Sequence, residues 1–258
     1  MTTKIRWTNE TWNPTTGCSR VSAGCKHCYA EQLSLRFHWS EKPWTARNAA
    51  ENVRLHPERL RKPYSWRQPR RVFVNSMSDL FHPLVPNDFI AQVFNVMVDL
   101  PQHTFQILTK RPERAAVWPG PWPANVWMGT SVENARVVKR IDDLRQCPAA
   151  VRFLSIEPLL GPLGRVNLDG IHWVIVGGES GPKFRPMNHD WARQVRDACL
   201  DAGVAFFFKQ DSGSRTEMRP WLDGMVWEQY PGNLESPRRA TSGEEVSQNS
   251  PLLQGMPG

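Results

Sequence analysis

The sequence predicts an α/β fold with parallel strands, arranged as a partial or full (β/α) barrel. Three observations lead to this prediction: short apolar runs recur along the chain, helical patterns separate them, and polar residues close nearly every run. Near-continuous apolar runs are typical of parallel strands that are buried on both faces. Strands that alternate with helices indicate βαβ units. An open doubly wound sheet is the alternative architecture.

The predicted strands begin with apolar residues, many of them β-branched or aromatic. They are RVFVNSMSDLF (71–81), TFQILTKRP (104–112), NVWMGTSVEN (125–134), VRFLSIEPLLG (151–161), HWVIVGGESG (172–181) and VAFFFKQ (204–210). A further strand before Cys18 brings the expected number to about seven.

Helical patterns fill the intervals, because apolar residues recur there at three- and four-residue spacing. Asn87 is a plausible N-cap for one helix, and Gly203 can end another. The helices are expected over 29–37, 87–100, 133–145 and 189–202.

Two segments depart from this alternation. Residues 38–71 contain nine Lys or Arg and three Glu, with Trp39, Trp44, Tyr64 and Trp66 interleaved, and we interpret them as a basic insertion after the first helix. The stretch from 232 onward is polar and contains Pro, Ser and Gly, which is typical of disorder. We therefore expect one domain over 1–231 and a disordered tail over 232–258.

The composition is ordinary for a soluble globular protein, with 40% hydrophobic and 22% charged residues. No apolar run approaches the roughly 18 residues that span a membrane, and the first residues lack the apolar core of a secretory signal. We expect a cytoplasmic protein with no membrane partner, in which disulfides do not form. The net charge of +7 suits a polyanionic partner without specifying one.

Polar residues gather where the predicted strands end, and in parallel α/β folds functional groups collect at those ends. The simpler alternative is that many of them cap the next helix or lie on the surface. They are Asn75, Ser76, Ser78, Asp79, Thr109, Lys110, Arg111, Thr130, Ser131, Glu133, Asn134, Ser155, Glu157, Gly177, Gly178, Glu179, Ser180, Lys209 and Gln210.

Three cysteines lie close together in GCSRVSAGCKHCY (17–29), with the spacing Cys-x6-Cys-x2-Cys. One interpretation is three ordinary thiols. A second is structural zinc, for which Cys25-x2-Cys28 is a half-site that still needs a fourth ligand such as His27 or His38. A third is an iron–sulfur cluster with one iron left open to bind a small molecule.

The chain resembles the radical S-adenosylmethionine superfamily in outline, with a three-cysteine loop after the first strand and then a (β/α) barrel. It resembles more closely a phage- and prophage-associated family, the three-Cys-motif or phage protein Gp37/Gp68-like family. The first cysteine gap is three residues longer than the superfamily's usual Cys-x3-Cys-x2-Cys. The resembling stretches are WNPTTGCSRVSAGCKHCYAE, SMSDLFH, LTKRPER, GTSVEN, LSIEPLLGP, VGGESG and FFFKQ.

The resemblance implies a barrel of radical-SAM type that holds a [4Fe–4S] cluster and S-adenosylmethionine and takes an electron from an external donor. Cys18, Cys25 and Cys28 would ligate the cluster, and His27 would lie near the adenine. A Gly-Gly-Glu element holds the methionine ammonium in the superfamily. Its candidate counterparts here are Gly177, Gly178 and Glu179, or, by position, Ser78 and Asp79.

The predicted function is reductive cleavage of S-adenosylmethionine to a 5′-deoxyadenosyl radical that acts on an unknown substrate, with nucleic acid or a nucleotide as candidates. Lys110, Arg111 and Lys209 are expected to bind a carboxylate or phosphate, and Glu133 and Glu157 to hold ribose hydroxyls or substrate. Glu157, Lys110 and Lys209 are the candidate catalytic residues. The alternative is a zinc-stabilised nucleic-acid-binding protein or a phage-associated interaction protein without catalysis.

The basic insertion could contact nucleic acid, with its cations on phosphates and its rings on bases. The alternative is that its tryptophans pack on the barrel.

Overall fold

The centre of the fold is a seven-stranded sheet in which all neighbouring strands are parallel. The computed structural model describes Thr3 and residues 5–241 of the chain. The strands are β1 (Glu10–Trp12), β2 (Arg71–Val74), β3 (Thr104–Thr109), β4 (Val126–Ser131), β5 (Val151–Ile156), β6 (Trp173–Gly177) and β7 (Ala205–Gln210).

The strands lie in the sheet in the same order as in the chain, so each crossover moves one position in the same direction. A doubly wound sheet reverses that direction part-way, so this alternative is wrong. The sheet curls into a half-barrel whose edges are β1 and β7. The prediction of a partial or full barrel is thereby narrowed to a partial one, since the full barrel closes only with an eighth strand.

Helices follow most of the strands. They are α1 (Tyr29–Arg36), α2 (Ala49–Asn52), α3 (Asn87–Asp99), α4 (Pro112–Ala116), α5 (Arg140–Arg145) and α6 (His189–Ala202), with 3-10 turns at Ala23–Cys25, Ala46–Asn48, Pro57–Ser65 and Ala135–Val137. The helices expected over 29–37, 87–100 and 189–202 are confirmed, and Gly203 ends α6 in the left-handed conformation.

Two details of the helix prediction were wrong. The segment 133–145 is not one helix, because the Asn134 side chain caps a separate 3-10 turn before α5 begins. Asn87 is not the N-cap of α3, since Pro86 holds that position. The Asn87 amide oxygen instead accepts a hydrogen bond from Arg114 Nη2 at 2.9 Å.

Side chains alternate between the two faces of the sheet, and each face has its own core. The helix-covered face carries the larger core. The opposite face carries a smaller one that is rich in aromatic rings and formed by Trp7, Phe73, Phe153, Trp173, Ile175, Ala205 and Phe207. This second core fills only part of its face, and polar residues follow where the strands end.

The basic insertion is anchored to the sheet's first edge. Its strand Arg54–Leu55 pairs antiparallel with Thr15–Thr16, and Trp12 Nε1 donates to the Arg59 carbonyl at 2.9 Å. Of its aromatic residues, some pack on the half-barrel and others are exposed, so neither prediction describes all of them. Trp44 is buried and Trp66 packs against the core, whereas Trp39 and Tyr64 are exposed.

The start of the predicted tail is part of the described structure. Arg238–Arg239 pairs antiparallel with Met225–Val226, while 242–258 lies outside the described residues. No helix in the described part of the chain combines the length and the apolar character needed to cross a membrane.

Candidate functional site

Two adjoining cavities open where the parallel strands end. The first has an empty volume of about 680 Å³ and the second of about 1010 Å³, and both volumes include space that is open to solvent. Residues that line both are Cys28, Tyr29, Phe73, Leu108, Lys110 and Ser131. The three cysteines of the loop all line the first cavity. The chain therefore brings its clustered thiols to the mouth of the half-barrel.

The other predicted site residues divide between the cavities. Ser78 and Asp79 line the first, and Lys110 lies between the two. The second is lined by His27, Glu157, Gly178, Glu179 and Lys209. Gly177 lines neither cavity.

The thiol loop, residues 17–29, begins at Gly17. Its φ is +80°, and its N–H donates to the Met77 carbonyl at 3.0 Å. A Cβ at this position would lie 1.8 Å from the Asn52 carbonyl oxygen. Only glycine therefore lets the insertion pack directly against the backbone that precedes Cys18.

Short helical elements hold the other two thiols. Cys25 ends the 3-10 turn Ala23–Cys25, and Cys28 is the N-cap residue of α1. The three cysteines therefore lie on three different local conformations around one cavity.

A buried carboxylate from the end of β4 holds the loop from one side. Glu133 accepts hydrogen bonds from Ser22 Oγ at 2.6 Å and from Arg140 Nη1 at 3.2 Å, and Lys110 Nζ lies 3.8 Å from it. A Cβ on Gly24 would lie 2.4 Å from the Glu133 carboxylate. Glu133 thus positions the segment that carries Cys25.

A second buried carboxylate, after β6, holds the loop from the other side. Glu179 Oε2 lies 3.0 Å from His27 Nδ1 and accepts from Arg185 N at 2.8 Å and Nε at 2.9 Å. Arg185 Nη2 also donates to the Ala23 carbonyl at 3.1 Å. Burial alone would raise the pKa of Glu179, but the hydrogen bonds from Arg185 and His27 outweigh it and hold that pKa below its usual value.

Arg111 forms the inner wall of the first cavity. Its Nη1 lies 2.8 Å from Asp79 Oδ2 and 3.6 Å from Cys18 Sγ, and its Nη2 donates to the Ser19 carbonyl at 3.0 Å. Asp79 accepts further bonds from Thr109 Oγ1, from Lys110 N and from Phe81 N. Both Asp79 oxygens are therefore already used within the protein.

The thiols lie in surroundings that disfavour a bare thiolate. Burial, with the Asp79 charge nearby, raises the pKa of Cys18 to about 12, although Arg111 acts in the opposite direction. Burial also raises the pKa of Cys28, opposed in part by Lys110. A bound metal supplies the positive charge that stabilises buried thiolates.

The thiols share a cavity wall but do not converge on a point. Among the residues that the structure describes, no three His, Cys, Asp or Glu side chains are grouped as ligands of a single metal ion. A cluster differs from a single ion in this respect, because each thiolate binds a different iron of the cluster.

Asn75, at the end of β2, is the polar residue of the first cavity whose bonding is incomplete. It is 2% exposed and has a left-handed backbone with φ +64°. Neither Oδ1 nor Nδ2 has a hydrogen-bond partner within the described structure. A buried amide without partners is costly, which favours a ligand as the missing partner.

The second cavity holds an ion pair between two strand ends. Lys209 Nζ lies 2.5 Å from Glu157 Oε1, and both side chains are mostly buried. Apolar walls formed by Ile5, Trp7, Phe73 and Leu108 surround this pair. The pair can bind a polar group of a ligand whose remaining surface is apolar.

The paired glycines at the end of β6 serve the packing of the protein itself. A Cβ on Gly178 would lie 2.1 Å from the Ser212 backbone nitrogen, and one on Gly177 would lie 3.2 Å from the Glu157 carboxyl carbon. The space at Gly178 is therefore taken by the Ser212 backbone, and the space at Gly177 by the Glu157 side chain.

A family model described as "Protein of unknown function (DUF5131)" matches residues 2–231. The chain belongs to the DUF5131 family. No curated protein and no solved structure gives a significant match. The DUF5131 match spans all seven strands, the thiol loop and both cavities, so the site is part of the family's domain.

Several residues of this DUF5131 site have no recognisable signal in the sequence. In the sequence, Asn75 is one of many polar residues at strand ends. Its left-handed conformation and unbonded amide leave no signal in one sequence. Arg185, which bonds Glu179 and the loop, lies in a connecting segment without a motif. Ser22 carries no signal either, because its partner Glu133 is 111 residues away.

Proposed function

We propose that this protein is an iron–sulfur enzyme that binds a [4Fe–4S] cluster through Cys18, Cys25 and Cys28 and reductively cleaves S-adenosylmethionine. The observation that carries the proposal is the position of the three thiols. They line one cavity at the mouth of a parallel half-barrel, directly after its first strand. The resemblance to radical S-adenosylmethionine enzymes supports the same assignment. The electron comes from an external donor.

The residues around the thiols suit a cluster. Three thiolates make the cluster site anionic, and Arg111 and Lys110 lie beside the thiols as the opposite charges. All three cysteines line the first cavity, where a cluster would lie. Glu133 bonds the loop through Ser22 and Glu179 bonds it through His27, which would hold the loop rigid around the cluster.

Asn75 is the residue that we assign to the cofactor next to the cluster. Its amide can donate to a carboxylate and accept from an ammonium, the two groups of a methionine moiety. Ser78 and Asp79 were the predicted acceptors there. Asp79 is occupied by Arg111 and Thr109, and Ser78 Oγ lies 2.7 Å from Thr15 Oγ1. Asn75 is therefore the better candidate at this strand end.

When bound and reduced, the cluster would supply the electron that cleaves S-adenosylmethionine to a 5′-deoxyadenosyl radical. The chain's own residues orient the reactants and exclude water. Phe73 and Leu108 line both cavities and would give the space beside Cys28 an apolar wall that excludes water. Lys209 and Glu157 would hold the substrate, with Lys209 on a carboxylate or phosphate.

Anaerobic purification and reconstitution test the proposal. The wild-type chain is expected to bind iron and sulfide in equal amounts, to be brown, and to release 5′-deoxyadenosine from S-adenosylmethionine when a reductant is added. Cys18→Ala should stay folded and lose the iron. Cys147→Ala is the matched control, because Cys147 is buried in the helix-side core and should leave the iron content unchanged.

Two results would contradict the proposal. One equivalent of zinc, with no iron after reconstitution, would favour the zinc-stabilised alternative, and loss of folding in Cys18→Ala would agree with it. The second result is a cluster that forms but yields no 5′-deoxyadenosine. If its electron paramagnetic resonance spectrum also stays unchanged when S-adenosylmethionine is added, the proposed reaction is excluded.

A further inference from the structure

Two aromatic side chains are stacked on the surface just after α1. Phe37 is 52% exposed and Trp39 is 58% exposed, and their ring centroids lie 5.3 Å apart with 29° between the planes. The Arg36 guanidinium lies 5.6 Å from the Phe37 centroid. We call Arg36, Phe37 and Trp39 the aromatic platform.

The backbone holds the aromatic platform in place. His38, between the two rings, has φ +56°, a left-handed conformation that is uncommon for a residue with a side chain. The N–H groups of Trp39 and Ser40 both donate to the Ser34 carbonyl, at 2.8 and 3.1 Å. This turn places residues 37 and 39 side by side. Exposed rings held together on a fixed turn indicate a recognition surface.

The segment that follows the aromatic platform has a surplus of free positive charge. Several of its exposed arginines form no ion pair with any described residue. Together with Arg36 they are Arg47, Arg54, Arg61 and Arg67. The whole chain has a net charge of +7, and these arginines add positive charge that suits a polyanionic partner.

We propose that the aromatic platform binds single-stranded nucleic acid, with unpaired bases stacked on Phe37 and Trp39 and phosphates near the unpaired arginines. Single strands expose their base faces, whereas a duplex hides them, so two adjacent exposed rings favour the single strand. Arginine beside the rings adds a cation–π contribution. This inference goes beyond the proposed reaction and does not depend on it.

The aromatic platform lies apart from the thiols. α1 begins beside Cys28, and its eight residues separate the platform from the mouth by roughly 12 Å along the helix. A free nucleotide would not reach both places. A polymer would, and the aromatic platform would then retain the strand while another nucleotide enters the second cavity.

Fluorescence anisotropy with a labelled oligothymidine tests the proposal on metal-free and on reconstituted protein. Both forms should bind, with affinity that falls steeply as salt rises. Trp39→Ala and Phe37→Ala should each weaken binding about tenfold, and Trp39→Phe should retain most of it. Phe184→Ala removes an exposed ring outside the aromatic platform and is the matched control, with unchanged affinity expected.

Several outcomes would overturn the proposal. They are unchanged affinity in Trp39→Ala, equal or tighter binding of a duplex of the same length, and binding only to vesicles that contain anionic lipid. Each would rule out the stacking of single-stranded bases as the role of the aromatic platform. Because metal-free protein is also measured, these outcomes are separate from a failure of the cluster proposal.

Discussion

The buried carboxylates near the two cavities are bonded by other residues of the chain, whereas the buried Asn75 amide has no partner within the described structure. Asp79, Glu133 and Glu179 each accept several hydrogen bonds from the chain itself. A buried carboxylate needs such partners because its charge is otherwise poorly solvated. These carboxylates therefore position the loop and the neighbouring cations, while the Asn75 amide is free for a ligand.

His82 is hydrogen-bonded to Ser19 of the thiol loop. Its Nδ1 accepts from Leu84 N at 3.1 Å, so its proton lies on Nε2, which donates to Ser19 Oγ at 2.8 Å. Burial, with the charge of Arg111 nearby, lowers the pKa of His82 to about 4. The neutral form is therefore part of the folded structure.

We expect a pH-dependent loss of stability from His82. An unfolded histidine titrates near 6.5, so between about pH 6.5 and 4 the unfolded chain binds more protons than the folded chain. The free energy of unfolding should therefore fall as the pH falls through this window. Over this pH window, the free energy of unfolding of the wild type should fall by about 1–3 kcal/mol more than that of His82→Asn.

Urea denaturation at a series of pH values measures this difference. Asparagine is the matched replacement, because its amide oxygen can still accept from Leu84 N and its charge does not change. Parallel curves for the two proteins would show that His82 does not titrate differently on folding.

At the scale of elements, the thiol loop depends on contact with the insertion. The loop begins where Thr15–Thr16 pairs with Arg54–Leu55, and Gly17 lies directly against Asn52. The insertion also reaches the loop through Glu31, which accepts from Trp44 N at 2.9 Å and from Arg20. The insertion is thus part of the structure that places Cys18.

Gly17→Ala tests this dependence. The substitution needs a left-handed alanine and a clash with the Asn52 carbonyl, so we expect it to lower the free energy of unfolding by about 3 kcal/mol or more. Gly164→Ala is the matched control. Gly164 also has a positive φ, +71°, but no described atom lies within 4 Å of its added Cβ. It should cost only about 1 kcal/mol.

Chemical denaturation compares the two variants with the wild type. Equal losses would mean that the left-handed conformation alone matters and that the contact with the insertion does not. In reconstituted protein, Gly17→Ala should also reduce iron binding, whereas Gly164→Ala should not.

At the scale of the whole molecule, segments from both ends of the domain cover the face of the sheet that the helices leave uncovered. Trp7 is 3% exposed and packs on Phe73, with ring centroids 4.7 Å apart, and also on Phe153 and Trp173. Tyr230 packs on Trp173 from the other end of the chain. These rings belong to the smaller core, and Trp7 and Phe73 also line the second cavity.

Trp7→Ala is expected to lower the free energy of unfolding by about 3–5 kcal/mol, because it leaves a large void among aromatic side chains. Val117→Ala, at a side chain that is 77% exposed, is the control and should change stability by less than about 0.5 kcal/mol. Thermal and urea unfolding measure both. A loss for Trp7→Ala as small as for the control would mean that the N-terminal segment is not part of the core.

Much of the fold could be predicted because it follows from local patterns. Apolar runs and three- or four-residue spacing reflect which side of an element is buried. Each element carries this pattern within its own residues. The six later strands and the helices over 29–37, 87–100 and 189–202 were predicted in this way, and the end of α6 was predicted from Gly203. The errors at Asn87 and over 133–145 concern helix starts, which a local pattern places less precisely than it places the helix itself.

The sequence by itself determined that three thiols lie in one loop after a first strand, and that polar residues close the strands of a parallel sheet. Only the tertiary structure decided that the barrel stays partial and which polar residues are already bonded. Hydrogen bonds such as those of Ser22 with Glu133 and of Arg111 with Cys18 join residues about a hundred positions apart. Such pairs depend on how the strands curl, and no local pattern encodes them.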